Sequence, residues 1–287
     1  MKNIPIRQIK NSQAASTAAG GFSIREVSEL LQGKDLFHAF HRHDYYFVLA
    51  LKNGAGTHEI DFVPYRVGDN SLFVLRPGQV HQLVLQAGST GYLLQFNLDF
   101  YNPSDQMARQ FLRASTQKNF CQLEAQRAGR LFVVLDNLFR EYSERQLAYQ
   151  AAIQANLHLL FIEIVRHRQQ AATHSDQQAH YAQQRMDELS ELLESHLSKH
   201  KQVSDYAGMM NMSAYQLNAI TKQVLGKTCS SLINEYVVLE AKRQLLATTN
   251  QVSQIADQLG YEDISYFIRF FKKHTGHSPE AFRKLPR

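Results

Sequence analysis

The 287-residue sequence contains no run of 18 apolar residues and only two cysteines, Cys121 and Cys229. The first absence leaves no candidate membrane span. The second rules out a disulfide framework, and without CxxC spacing it also rules out a zinc-finger ligand set. A cytoplasmic protein is the natural expectation. The N-terminus, MKNIPIRQIKNSQAASTAAGG, lacks the apolar core of a signal peptide. Acid is scarce at the other end. From Ile264 onward six Lys and Arg residues face Glu280 alone, a net charge of +5 that equals that of the whole chain. The remainder is therefore close to neutral, and the basic end leans toward a polyanionic partner. The hydrophobic share, 44%, is ordinary for a soluble globular protein. The length exceeds what one core commonly holds, so two domains are expected.

The pattern changes along the chain. Residues 1–21 are polar and small and read as a flexible arm. Residues 22–103 read as short strands, notably Tyr45 to Leu51, Thr57 to Phe62, Ser71 to Leu75, His81 to Leu85 and Gly91 to Leu98. Turn signals at Asn53-Gly54, Gly68-Asp69-Asn70 and Pro77-Gly78 separate them, which suggests a barrel or sandwich. Residues 104–168 switch to helical periodicity. Leu131, Val134, Leu135 and Leu138 form one stripe and Ile153, Leu157, Leu160 and Ile164 another, predicting an antiparallel helix pair joined near Glu144 to Ala148. Residues 169–184 are polar and Gln-rich, a linker by composition or a helix extended into solvent. Residues 185–287 are helical in pattern.

That last segment repeats itself. VSDYAGMMNMSAYQLNAITKQVLGKTC (203–229) and VSQIADQLGYEDISYFIRFFKKHTGHSP (252–279) match at an offset of 49 in their first halves (Val203/Val252, Ser204/Ser253, Ala207/Ala256). In their second halves the offset is 50 (Ile220/Phe270, Lys222/Lys272, Gly226/Gly276). Turns absorb insertions where helices cannot, so the slip marks a turn between two helices. Ser204 and Ser253 are expected to cap the first helix. Ala207 and Ala256 allow close approach of the second, and Asn211 and Gly260 tolerate the left-handed turn. Leu217, Ile220 and Val224, and Phe267, Phe270 and Phe271, would face inward. A helix from about Ser230 to Ala247 would join the two units.

GYEDISYFIRFFKKHTGHSPEAFR resembles the signature of AraC/XylS-family transcription regulators: Gly-aromatic, aromatic-x-Arg-x-Phe-Lys-Lys, Gly-x-Ser-Pro, then aromatic-Arg. The resemblance spans about 100 residues. It implies two helix-turn-helix units whose second helices read successive major-groove segments of double-stranded promoter DNA. By position the first helix offers Tyr215, Asn218 and Ala219, with Ser213 at its start, and the second Ile264, Ser265, Tyr266 and Arg269. Asn and Arg suit base edges, and Tyr or Ile can meet a thymine methyl. Lys222, Lys272 and Lys273 suit the phosphate backbone. Ala219 stands where Arg is frequent in that family, so the first reader is expected to be the weaker.

The N-terminal segment FHRHDYYFVLALKNGAG, with RPGQVHQL further on, concentrates histidines. His41-x-His43 with His81 resembles the cupin metal pattern, but Phe47 or Val48 stands where that pattern has Glu. The AraC/XylS resemblance implies instead a cupin-like barrel, with an HRHDYY strand, a Gly54-to-Phe62 hairpin and a PGQVH turn, whose mouth takes a small organic effector. The residues available for that role are His38, His41, His43, Tyr45, Tyr46, Arg76, His81 and Tyr92. Strand alternation must turn about half of them away.

The expected fold is thus α+β: a cupin-like β-barrel with a helical pair, then an all-α domain of two helix-turn-helix units joined by a linker helix. The resemblance implies that the helical pair makes a homodimer. No catalytic residue, cofactor or metal is assigned. The competing expectation is a cupin-type metalloenzyme with a fused helical domain, which needs an intact ligand set. A third is an architectural DNA-binding protein whose N-terminal domain only oligomerises.

Overall fold

The computed structural model describes residues 6–7, 21–103, 106–171 and 177–285. The chain divides into two compact units, 5–173 and 174–287.

The first unit is built on ten strands: β1 (Ile6–Arg7), β2 (Phe22–Glu26), β3 (Leu36–His43), β4 (Tyr46–Asn53), β5 (Gly56–Ile60), β6 (Val63–Val67), β7 (Ser71–Leu75), β8 (Val80–Leu85), β9 (Thr90–Phe96) and β10 (Phe120–Gln122). They form two five-stranded sheets, ordered β1-β3-β8-β5-β6 and β10-β7-β4-β9-β2. All pairings are antiparallel except β1 with β3. Strand β1 lies within the stretch expected to be a flexible arm, and the other residues before Gly21 lie outside the described ones. The helices of this unit are α1 (Val27–Leu31), α2 (Gln106–Thr116), α3 (Ala125–Glu144) and α4 (Tyr149–Ala171).

Strand β4 explains the layering. Its sequence, YFVLALKN, is nearly all apolar rather than alternating, as expected when both faces are buried. Phe47, Leu49 and Leu51 pack into the barrel interior with Phe73, Leu75, Leu83 and Leu85. Val48 and Ala50 point the other way, into a second cluster with Leu72, Leu94, Leu131, Leu135, Leu157 and Ile164. The helix pair therefore roofs one sheet. Its connection falls where the stripes end: α3 stops at Glu144 and Arg145 and Ala148 take left-handed backbone before α4. Strand β6 contains Pro64, and it lies at a sheet edge, where a missing N–H costs no ladder bond. Strand β10 pairs with β7 from beyond residue 103, so the sheets draw on the segment read as purely helical.

The second unit contains α5 (Gln177–His196), α6 (Val203–Met209), α7 (Ala214–Leu225), α8 (Cys229–Ala247), α9 (Val252–Gln258), α10 (Ile264–Thr275) and α11 (Pro279–Arg283). Of the polar stretch 169–184, residues 169–171 close α4 and 177–184 open α5, and the residues between lie outside the described ones. The repeat is realised as α6-turn-α7 and α9-turn-α10, with α8 between them. Asn211 and Gly260 take the left-handed turn (φ 53° and 72°). Gly260 also needs to lack a side chain, since a Cβ there would collide with the Ser198 carbonyl oxygen. The expected caps are corrected. Gln202 and Gln251 cap α6 and α9, each in a reciprocal box with the side chain three residues on, while Ser204 and Ser253 are the second residues of the two helices.

Candidate functional site

Two places in the molecule carry chemistry. In the second unit, α7 and α10 each bury one face and show the other. Leu217, Phe267 and Phe271 are wholly buried, Ile220 is nearly so, and Phe270 is only partly buried. On the opposite face Tyr215 is 84% exposed, Tyr266 56% and Ile264 43%, values that remove all three from the core. Ala219, Ser265, Arg269, Lys222, Lys272 and Lys273 are exposed on the same two helices. Arg269 is held only loosely, its Nη2 3.9 Å from the Asp263 carboxylate, with both side chains largely in solvent. Asp263 itself caps α10 by accepting the Ser265 N–H.

Two of the expected readers are tied up internally. Asn218 is half-buried: its Oδ1 accepts the Cys229 N–H at 3.0 Å, and its Nδ2 donates to the Ala214 carbonyl. It thereby satisfies one of the four N–H groups that the start of α8 leaves open. Asn218 belongs to the frame of the first helix-turn-helix, not to its exposed face. Ser213 caps α7, accepting the Gln216 N–H while its own hydroxyl donates to Gln216 Oε1. The aromatic-Arg pair of the signature also has a structural basis. Phe282 packs edge-on against Phe271, and Arg283 donates to the carbonyls of Leu245 and Asn250, closing the end of α8.

The second place is inside the barrel. His41 and His81 face each other across β3 and β8, and His43, two residues on, shares their side of the sheet. His58 comes from β5, where its neighbour Ile60 pairs with His81. All four are buried. His43 Nε2 is 2.7 Å from His81 Nε2, and His81 Nδ1 is 2.8 Å from His58 Nε2. Burial, with repulsion from His41 second, lowers His58 to about 3. Burial and then the other histidines push His81 well below the usual imidazole value. These two rings are therefore neutral at physiological pH. Phe47 stacks on His43 (5.5 Å, 8°), and Tyr45 lies 4.3 Å from the same ring. Beyond it a polar line continues, since Gln95 donates to the Tyr45 hydroxyl and accepts from Ser23.

The turns hold this cluster in place. Asp61, in left-handed backbone between β5 and β6, accepts from the Val80 N–H and from Gln79 Nε2, and the Gly78 N–H donates to the His43 carbonyl. The PGQVH turn is thus pinned to both neighbouring strands, one residue before His81.

Of the eight expected effector residues, the structure brings together His41, His43, His81 and Tyr45. His38 is half-buried, its ring 5.7 Å from that of His41. Arg76 is half-buried in the turn after β7. Tyr46 and Tyr92 are on the wrong face. Tyr46 stacks on Phe96, and Tyr92 donates to Asp136 of α3, both in the layer beneath the helices. Burial and the Asp136 hydrogen bond raise the Tyr92 hydroxyl above its ordinary value. His58 was not among the expected residues, although GAGTHEIDF alternates and places it on the same face as Ile60.

A barrel with a buried polar cluster, followed by a pair of helix-turn-helix units, defines a one-component DNA-binding regulator. Comparison with known proteins gives the family. A model described as an AraC-like ligand binding domain matches residues 31–161, and one described as a helix-turn-helix domain matches residues 206–285. An HTH-type transcriptional regulator of Bacillus subtilis, YfiF, is 21% identical over 85% of this chain and 78% of its own. The HTH-type transcriptional activator RhaS of Pectobacterium carotovorum is 25% identical over 91% of this chain and 94% of its own. The C-terminal domain of a two-component response regulator from Fusobacterium nucleatum is 25% identical, with a TM-score of 0.33, over 35% of this chain and 99% of that one. The chain belongs to the AraC-type transcription regulators, with an N-terminal ligand-binding domain and a C-terminal DNA-binding domain.

Proposed function

We propose that the exposed faces of α7 and α10 read promoter DNA through Tyr215, Ala219, Ile264, Ser265, Tyr266 and Arg269, with Lys222, Lys272 and Lys273 on the phosphates. The observation that carries this is the sharp division of each helix, fully buried aromatic or aliphatic residues on one side and exposed Tyr, Ile, Arg and Lys on the other. A small organic effector binds in the barrel beside Tyr45 and the four histidines, where polar groups stand in an apolar interior. It acts by binding two states of the protein unequally. The chain acts as a homodimer through the helix pair, a reading supported by exposed Val133 on α3 and Leu159 on α4. It works in the cytoplasm, in keeping with two free thiols, and has no catalytic role of its own. Residues 22–168 serve as the sensing part and 185–287 as the DNA-binding part.

Mobility shifts on promoter fragments test the central claim. Specific binding should exceed binding to random DNA by about a thousandfold or more, and affinity should fall steeply with salt as counterions leave the phosphates. Equal affinity for random DNA refutes it. Sedimentation of Val133→Asp and Leu159→Asp tests the dimer: both should be monomeric where the parent protein is not.

A further inference from the structure

We propose that His41, His43 and His81 form a binding site inside the barrel for a borderline divalent transition-metal ion, with His58 orienting His81 from behind.

The three rings are buried, and each offers a nitrogen within 4.8 Å of the other two. Their chemistry selects the ion. Three imidazoles with no carboxylate among them suit zinc, cobalt, nickel, copper or ferrous iron and disfavour magnesium and calcium, which want oxygen. The hydrogen-bond partners favour the metal-binding tautomer at His41 and His81, while His43 would have to move its Nε2 hydrogen to Nδ1. His41 Nδ1 lies 2.7 Å from the Ala39 carbonyl oxygen, which can only accept, so that nitrogen carries the hydrogen and Nε2 keeps its lone pair. His81 Nδ1 meets His58 Nε2 at 2.8 Å, and a hydrogen donated there leaves His81 Nε2 as a lone pair facing His43. A ring nitrogen bonded behind a metal-binding histidine is the usual means of fixing its orientation. The set therefore differs from a three-histidine, one-glutamate site: Phe47 lies against the rings, and the fourth group is a histidine behind a ligand rather than a carboxylate in the first sphere.

The alternative is a chain of hydrogen-bonded neutral rings, His58 to His81 to His43, with no ion. The two differ in spacing. Two nitrogens sharing a tetrahedral ion at about 2.0–2.1 Å stand about 3.3 Å apart. Against the present 2.7 Å, binding must part His43 and His81 by about 0.6 Å.

Cobalt(II) titration of the full-length, tag-free, chelator-treated protein decides between them. The visible absorption of a low-symmetry cobalt site should rise to one equivalent per chain, and zinc(II) should displace it with heat measurable by calorimetry. His41→Gln and His81→Gln should abolish the band. His58→Gln should weaken binding about 10–100-fold while keeping one equivalent. His38→Gln, beside the cluster but outside it, should bind as the parent does. Far-UV circular dichroism accompanies each variant, and His41→Gln decides if His81→Gln does not fold. A folded parent protein without the band, or an undiminished band in His41→Gln, overturns the site. A His58→Gln protein that binds like the parent overturns the orienting role.

Discussion

Replacing Asn218 by Ala separates framework from reader within one recognition helix. The side chain accepts the Cys229 N–H at 3.0 Å and donates to Ala214. Losing a cap-like bond to an open helix N–H costs about 0.5–2 kcal/mol. The bond back to Ala214 is local and weak, and Ala recovers about 0.5 kcal/mol of helix propensity. The net loss is then about 1 kcal/mol, which lowers the melting temperature by roughly 4 °C in a domain of about 100 residues. Well below that temperature the exposed face is unchanged, so DNA affinity should move less than about twofold, since 1.4 kcal/mol is needed for tenfold. Arg269→Ala should do the reverse. Its guanidinium is exposed and held only at 3.9 Å by Asp263, so stability barely changes. Losing a base or phosphate contact costs about 1–3 kcal/mol, roughly 5- to 150-fold in affinity. Melting curves and fluorescence anisotropy on one promoter fragment at fixed salt read both quantities. An Asn218→Ala protein that melts like the parent yet binds tenfold more weakly would show that the amide faces a base and that its bond to Cys229 is not the governing contact.

Arg283→Ala should cost about 1.5–3 kcal/mol, because a charged donor to the Leu245 and Asn250 carbonyls is removed, and Lys should not restore it; urea melts check this. Gly260→Ala drives a Cβ into the Ser198 oxygen and should destabilise by well over 2 kcal/mol, whereas Gly226→Ala, with open space around it, should cost only the left-handed backbone penalty of about 1–2 kcal/mol. Lys222→Ala, Lys272→Ala and Lys273→Ala should each weaken specific and random DNA alike and reduce the slope of log affinity against log salt by about one, measured by titration at several salt concentrations. Phe47→Leu should cost about 1 kcal/mol in stability and speed hydrogen exchange in β3, β8 and the facing parts of α3 and α4; wild-type exchange in the helices would disconnect the two layers.

The fold was legible where burial imposes a period. The stripes at Leu131 to Leu138 and Ile153 to Ile164 identified α3 and α4, and the offset of 49 then 50 located both helix-turn-helix units. What escaped depends on partners distant in sequence. Nothing around Phe120 announces that it closes a sheet beside β7. Tyr46 and Tyr92 are as polar and aromatic as Tyr45, and only the position of the helix roof decides which side of β4 and β9 is the inside. Asn218 has the chemistry of a base reader, and its engagement with Cys229 appears only when α8 is placed. His58 could have been found by applying alternation from Ile60. Ser204 and Ser253 have the commoner cap chemistry, yet Gln202 with Asp205 and Gln251 with Gln254 close the reciprocal boxes.

The arrangement of β4 gives the sensing domain a short mechanical route. Phe47 touches the rings of His43, His58 and His81 on one face. One residue away, Val48 is packed in the same cluster as Leu131, Leu135 and Leu157 on the other. Phe47 and its neighbours are buried, and protein interiors are close-packed, so a shift of Phe47 that admits an ion or an effector is expected to be passed on through the strand. Tyr92 of β9 adds a polar tether to the same roof, its hydroxyl donating to Asp136 at 2.8 Å. Binding in the barrel therefore alters the helix pair only to the extent that it favours one packing of β4 over another. That requirement is stricter than proximity, and it predicts that apolar residues making no polar contact will govern the response alongside the polar ones. Phe47 and Val48 meet it because they are adjacent in sequence and opposite in direction.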